Sequence, residues 1–197
     1  MPRATQAERR ARTSAALVQA AAELVVEQGV RAVTLAAVGE RAGYSRGIVT
    51  HSFGTRQALL ETLARTAQVG FVPGVAHEPG LDRLLTLIDG YVAALGREGV
   101  AGRAFLVLWA EAATAPELTE IFRERDEGFR ADLRADVAAG IAEGRVRDDL
   151  DPHEVAVAVL GQLRGIGIQR LVDPGQVDVE RLRHSVTAQW RRALQAG

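Results

Sequence analysis

The stretch VTLAAVGERAGYSRGIVTHSFGTRQALL, Val33 to Leu60, decides the fold of this chain. It contains two short segments with helical spacing of apolar residues, 35–42 and 46–53, joined by Gly43-Tyr44. Thr34 can cap the first and Gly43 end it; Ser45 can cap the second, which stops near Gly54. Helices this short do not persist alone, since isolated helices below about 12–15 residues are marginal in water. They must pack on something, and the preceding segment 8–28 supplies it. There Ala16, Leu17, Ala20, Ala21, Leu24 and Val25 recur by threes and fours, and Gly29 ends the stripe. With Leu35, Val38, Ala42, Val49 and Phe53 turned inward, the three segments describe a helix-turn-helix.

The outer side of the third segment then carries Arg46, Gly47, Thr50 and His51, at i, i+1, i+4 and i+5. The window from Arg41 to Leu60 holds no Asp or Glu, although the whole chain is slightly acidic. A helix in the DNA major groove lies between two rows of phosphates, where a carboxylate is repelled. Arg46 suits bidentate contact with guanine O6 and N7. Gly47 allows close backbone approach, and the helix N-terminus favours a phosphate. Arg56, opening the next helix, is expected to contact phosphate. The arrangement predicts DNA binding, with Thr34, Tyr44, Ser45, Arg46, Gly47, Thr50, His51 and Arg56 as candidate contacts.

Charge along the chain is divided in the same sense. Residues 1–56 carry a net charge of +4, whereas residues 57–197 carry −5. A basic head on an acidic body suggests a polyanion-binding domain, 1–56, and a second domain, 57–197, with another task. All 24 basic residues are Arg, which fits coding bias and marks no particular site.

The rest reads as helix at about 55–70, 81–96, 100–114, 116–143, 152–172 and 178–195. The loop VPGVAHEPG, 72–80, interrupts the series, and Asp151, Pro152 and Glu154 form a capping-box signature. No alternating strand pattern persists, so the fold class is all-α. No leader with an apolar core and no charge-free run of 18 apolar residues appears, which predicts a cytoplasmic protein without membrane partners.

Catalysis finds little support in the composition. Cys and Lys are absent, which removes thiolate and Schiff-base chemistry. His51, His77, His153 and His184 are scattered without zinc-ligand spacing, so neither a catalytic nor a metal site is expected, and no cofactor. A helical protein whose basic head binds an acidic protein partner is the other alternative; it would show no base preference.

The order of residues in 33–60 resembles the N-terminal DNA-binding domain of the TetR family of bacterial regulators. The match runs through Thr34, Gly43, Ser45, Gly47, Phe53, Arg56, Leu59 and Leu60. Thr50 stands where that family usually has Tyr, Ser52 where it has His, and Gly39 where Ala is common. The resemblance implies a larger C-terminal helical domain that dimerises and holds a small-molecule pocket. The expected function is therefore a ligand-responsive repressor, with an effector of unknown identity, that binds a palindromic operator as a homodimer. Two heads related by a two-fold axis read half-sites about 34–36 Å apart or a near multiple.

Within that frame, Ala158, Gly161 and Gly165 put small residues on one side of their helix. They allow close approach either of a second subunit or of another helix in the same chain. Leu182, Val186 and Trp190 offer a matching stripe on the last helix. The scarce aromatic residues cluster in the middle of the chain. Tyr91, Phe105, Leu108, Trp109, Phe122 and Phe129 are candidate ligand contacts or plain core, and Glu111 either orients a polar ligand group or lies at the surface.

Overall fold

The computed structural model describes residues 5–69, 78–97 and 99–196, and the side chains of 68 and 69 are not among them. The described helices are α1 (Gln6–Gln28), α2 (Leu35–Ala42), α3 (Arg46–Phe53), α4 (Arg56–Val69), α5 (Leu81–Gly96), α6 (Val100–Glu111), α7 (Pro116–Ala142), α8 (Pro152–Val172) and α9 (Val179–Leu194). A single 3-10 turn, Val30–Ala32, links α1 to α2. Most of the 72–80 loop, with His77, lies outside the described residues.

The helices form two packing units. The first holds α1 to α4, α6 and the start of α7, and the second holds α5, the rest of α7, α8 and α9. The first unit thus reaches beyond the 1–56 segment marked by charge: Leu59, Leu60, Leu63, Ala64 and Ala67 of α4 are all buried in it.

In the first unit, local chemistry sets each helix end. Thr5 caps α1 with a reciprocal capping box: its Oγ1 accepts from the Glu8 amide at 3.2 Å, and its own amide donates to Glu8 at 2.7 Å. Thr34 Oγ1 accepts from the Ala37 amide and caps α2, while Gly43 ends that helix in the left-handed region at φ 74°. Ser45 occupies the cap position of α3 by its backbone, but its hydroxyl makes no capping bond, contrary to expectation. The amides of Ile48 and Val49 turn back to the Ser45 carbonyl instead.

α2 packs on α1 and α3, and the contact with the turn is tight at Gly39. A Cβ there would stand 2.8 Å from the Tyr44 carbonyl and 3.2 Å from Val49 Cγ2. The same turn is closed by the Tyr44 amide donating to the Gly39 carbonyl at 2.8 Å. Gly39→Ala gains up to about 1 kcal/mol of helix propensity. It also forces a backbone shift of the overpacking kind, costing roughly 1–3 kcal/mol. The net expectation is a lower melting temperature, measured by circular dichroism; a melting point raised by the substitution would show that the turn yields freely.

Arg41 clamps α2 to α1. Its guanidinium grips Glu27 with both arms, at 3.0 and 2.7 Å, and reaches Glu23 at 3.4 Å. The Arg41 hydrogen bonds hold the Glu27 carboxyl below its ordinary range.

The second unit is built on α5, whose inner face buries Leu84, Leu85, Ile88, Tyr91, Val92 and Leu95, and which packs on α8 and α9. Arg183 of α9 grips Asp89 of α5 with two 2.7 Å bonds, and Arg170 of α8 donates to the Leu95 carbonyl at 2.8 Å. At the start of α5, fully buried Asp136 accepts from the Gly80 amide and from Arg83 Nε at 2.7 Å. Burial nevertheless pushes the Asp136 carboxyl up, against the pull of Arg83. Asp151 caps α8 by accepting from the amides of His153 and Glu154, with Pro152 at the first turn; Glu154 makes no return bond, so only half of the expected capping box forms.

α8 alone among the described helices is long and apolar enough to cross a membrane by length and hydropathy. Its composition has a simpler origin in the packing. Val155, Ala156, Val159, Leu160, Leu163 and Ile166 are buried within the unit, while Val157, Ala158, Gly161 and Val172 are exposed. The helix is apolar on both sides, and one of them is left exposed among the described residues.

Candidate DNA interface, subunit face and buried ionic cluster

The helix-turn-helix fixes α3 by Val49, which is fully buried, and leaves its other side open. Tyr44, Ser45, Arg46, Gly47, Thr50 and His51 are all exposed, as is Thr34 at the start of α2. Ile48 adds an apolar residue at 41 % exposure that sequence reasoning had not placed on this face. Thr50 donates its hydroxyl hydrogen to the Arg46 carbonyl at 3.0 Å, so what it offers outward is an acceptor and a methyl group.

The three arginines of the acid-free window have different fates. Arg41 is spent on Glu27 and Glu23. Arg56, expected as a phosphate contact, is also spent. Its Nε donates to the Val33 carbonyl at 2.7 Å and one terminal nitrogen to the Val30 carbonyl at 2.9 Å, while the other meets Glu117 at 3.3 Å. The physical reason is that the chain leaves helical geometry at Val33, whose carbonyl has no backbone donor among the described residues, while the Val30 carbonyl, which already accepts the Val33 amide at 3.2 Å, has a second lone pair free; a planar guanidinium supplies two donors at fixed spacing. This corrects the sequence reading of Arg56. Arg46 alone of the three has no hydrogen bond or ion pair from its side chain among the described residues. Its charge stands at the first residue of α3, where the amides of Arg46 and Gly47 also lack a backbone partner.

On α8, nothing lies within 4 Å of where a Cβ would stand at Gly161 or Gly165. Close packing inside one chain, one of the two readings of those glycines, therefore does not account for them. With Ala158, half-exposed Gly165, and Val157 at 48 % and Val172 at 81 % exposure, they form a continuous apolar stripe. α9 contributes half-buried Leu182 and Trp190. The Trp190 indole N–H donates to Gln162 Oε1 at 2.6 Å and ties α9 to α8. Val186, expected on this face, is instead buried in its own unit; the stripe of α9 is amphipathic, and Val186 lies on the side turned to the core.

The aromatic candidates fall into the two units separately. Phe105 and Leu108 are fully buried in the first, with Trp109 and Glu111 half-exposed. The first unit also has a groove of 460 Å³ between α1 and α4, lined by Ala11, Ser14, Val18, Thr62 and Thr66 among others; none of the candidate ligand contacts borders it. In the second unit Phe122 is buried, and Tyr91 stacks on Phe129 with ring centres 6.4 Å apart and planes at 18°.

Beside Tyr91 stands a residue that sequence reasoning missed. Arg164 of α8 is 2 % exposed. It donates to the Tyr91 hydroxyl at 2.7 Å and to Asp126 of α7 at 2.9 Å, and its guanidinium carbon lies 5.6 Å from the centre of the Tyr91 ring. Burial pushes the Tyr91 phenol up, with Arg164 opposing, so it is protonated at neutral pH. The one available signal was an Arg in a long helix that is otherwise nearly free of charge, in LGQLRGIG.

A helix-turn-helix with an open recognition helix, in a chain whose second helical unit carries an exposed apolar stripe, defines a DNA-binding regulator. Residues 17–63 match the family described as bacterial regulatory proteins of the TetR type, and residues 79–195 match the BetI-type transcriptional repressor C-terminal domain. The chain belongs to the TetR family of transcriptional regulators. It is 24% identical over 178 residues to the HTH-type transcriptional regulator BetI of Vibrio campbellii, covering 85% of this chain and 84% of that one. The BetI of Stenotrophomonas maltophilia is 29% identical over 123 residues, 59% of this chain and 63% of that protein. Among solved structures, NalD of Pseudomonas aeruginosa, the secondary repressor of a multidrug efflux pump, superposes with a TM-score of 0.78 at 21% identity, covering 95% of this chain and 98% of that one. A transcriptional regulator of Saccharomonospora viridis, solved in complex with choline, gives 0.73 at 19% identity, over 98% of this chain and all of that one. These relatives are transcriptional regulators, not enzymes, and dimerisation and ligand response are typical of the family.

Proposed function

We propose that this regulator is a cytoplasmic homodimeric repressor that reads a palindromic operator with α3 and releases it when a small molecule binds the body. The observation that carries the DNA reading is the exposed guanidinium of Arg46, without a partner among the described residues, at the head of an acid-free recognition helix, where Arg41 and Arg56 are held by protein partners. Tyr44, Gly47, Thr50 and His51 complete the proposed interface, with Thr34 and Ser45 at its edges. The uncovered stripe of α8, with Leu182 and Trp190 of α9, is the proposed subunit face. Tyr91, Phe122 and Phe129 stand in the second unit as ligand candidates; Phe105, Leu108, Trp109 and Glu111 stand in the first. Ligand response requires an effector that binds the two states of the dimer with different affinity.

The test begins with selection of duplexes from a random DNA pool by the purified protein. Enrichment of an inverted repeat is the expected result; retention without an enriched sequence would reduce the head to a general polyanion binder. On the selected operator, Arg46→Ala is expected to cost about 1–3 kcal/mol of binding and to relax one base position. The melting temperature stays at the parent value, because the Arg46 side chain holds nothing among the described residues. Unchanged affinity with unchanged base preference would remove Arg46 from the interface.

A further inference from the structure

We propose that Ile48 of α3 reads the C5-methyl group of a thymine, so that each operator half-site carries a T·A pair that cannot be exchanged without loss. The inference rests on the DNA-binding reading above and adds one base to it.

Among the described residues, the exposed large apolar side chains are Tyr44, Ile48, Val157 and Val172. The two valines lie on the stripe of α8 proposed as the subunit face, and the other two lie on the side of the helix-turn-helix proposed for DNA. A single exposed apolar residue is ordinary, but exposure gathered on two proposed partner faces is not scatter. Nor does Ile48 serve the helix itself, because a β-branched residue is a poorer helix former than Ala. Around α3, at about 100° per residue, exposed His51 stands opposite buried Val49 and half-buried Phe53. Gly47 and Ile48 flank His51, each within about 60° of it. Ile48 is thus near the middle of the outward side, and Gly47 next to it has no side chain to stand in its way.

The surroundings of Ile48 offer fewer donors than the residue types suggest. Thr50 and Ser52 both turn their hydroxyl hydrogens back into the helix, to the Arg46 carbonyl at 3.0 Å and the Ile48 carbonyl at 2.9 Å. What this part of the face presents is hydrocarbon. In the major groove each base edge displays hydrogen-bond donors or acceptors, and the apolar group that distinguishes a base is the thymine methyl. A methyl group is the partner that a hydrocarbon side chain covers without stripping water from a polar atom.

The experiment uses the full-length protein and the duplex it selects from the random pool. Each symmetric pair of invariant thymines is replaced in turn by deoxyuridine, which removes the methyl and leaves the pairing and the O4 acceptor in place. At fixed salt, one such replacement is expected to weaken the parent about fourfold for each half-site, the equivalent of one buried carbon, and so about 15-fold for the duplex. Ile48→Ala is expected to bind the thymine and uracil duplexes alike, no more tightly than the parent binds the uracil one. Its melting temperature is expected to hold, since the side chain is exposed and Ala favours the helix. Thr50→Ser deletes the other methyl offered outward by α3, and is expected to keep the discrimination. A uracil penalty that persists in Ile48→Ala arises from duplex shape or from another side chain, and overturns the proposal. A penalty that disappears in Thr50→Ser assigns the methyl to Thr50 and overturns it too, as does a selected half-site in which no thymine is penalised. All three of these results leave the enriched inverted repeat, and with it the DNA reading, standing. Retention without an enriched sequence overturns both.

Discussion

Gly161→Glu is expected to turn the proposed dimer into folded monomers and to weaken operator binding by roughly 10²–10⁴-fold, the range gained when two modest binding events are linked. The substitution is informative because the protomer has room for it. Nothing stands within 4 Å of a Cβ at Gly161, and a residue other than Gly favours the helix by several tenths of a kcal/mol. Any loss therefore arises between subunits. In the proposed interface the new carboxylate enters the middle of an apolar stripe running from Val157 to Val172, in which Val157, Ala158, Gly161, Gly165 and Val172 carry no charge. Leaving a charge buried and uncompensated costs about 3–5 kcal/mol, and two-fold symmetry introduces it twice. Sedimentation equilibrium reports the mass, and a melting temperature that no longer depends on protein concentration confirms the loss of coupling between folding and association. A variant that stays dimeric with parental operator affinity would move the subunit interface to another face.

The second large effect concerns Arg56. Arg56→Ala removes the donors to the Val33 and Val30 carbonyls; a bond from a charged group contributes about 1.5–3 kcal/mol, and because the Val30 carbonyl keeps the Val33 amide the head is expected to lose roughly 2–4 kcal/mol. Val33 is fully buried, so its carbonyl has little water to turn to. Arg56→Lys is expected to recover little, since a single ammonium cannot span two carbonyls as the guanidinium does. A phosphate contact makes the opposite set of predictions: unchanged stability, recovery by Lys, and a flatter dependence of binding on salt. Thermal unfolding of the three proteins, followed by operator titrations at several salt concentrations below the melting range, separates the two. A stable Arg56→Ala protein with a reduced salt slope would restore the phosphate role.

The helices themselves are legible because their signals are local. Thr34, Gly43, Gly54 and Asp151 act within four residues of the ends they cap or stop, and the periodicity of Leu17, Ala20, Ala21, Leu24 and Val25 needs only the pitch of a helix. The same locality identifies the helix-turn-helix, since its two short helices, the turn between them and the glycines that end them lie within one continuous stretch.

What the sequence determined by itself is therefore the set of helices, the order in which they come and the family they belong to. Only the tertiary structure decided where each charge goes and which side of each helix is left uncovered. Arg41, Arg46 and Arg56 look alike in the chain, yet the partners of Arg41 lie 14 and 18 residues away, those of Arg56 lie 23, 26 and 61 away, and Arg46 has none among the described residues. Arg164 meets its partners across 38 and 73 residues, on two other helices. Val186 and Ala158 both sit on apolar stripes, and one faces its own core while the other faces out. The physical reason is common to all of these. Caps and periodicity are interactions along the chain, whereas the partner of a long charged side chain and the cover of an apolar face depend on which helices are brought together in space.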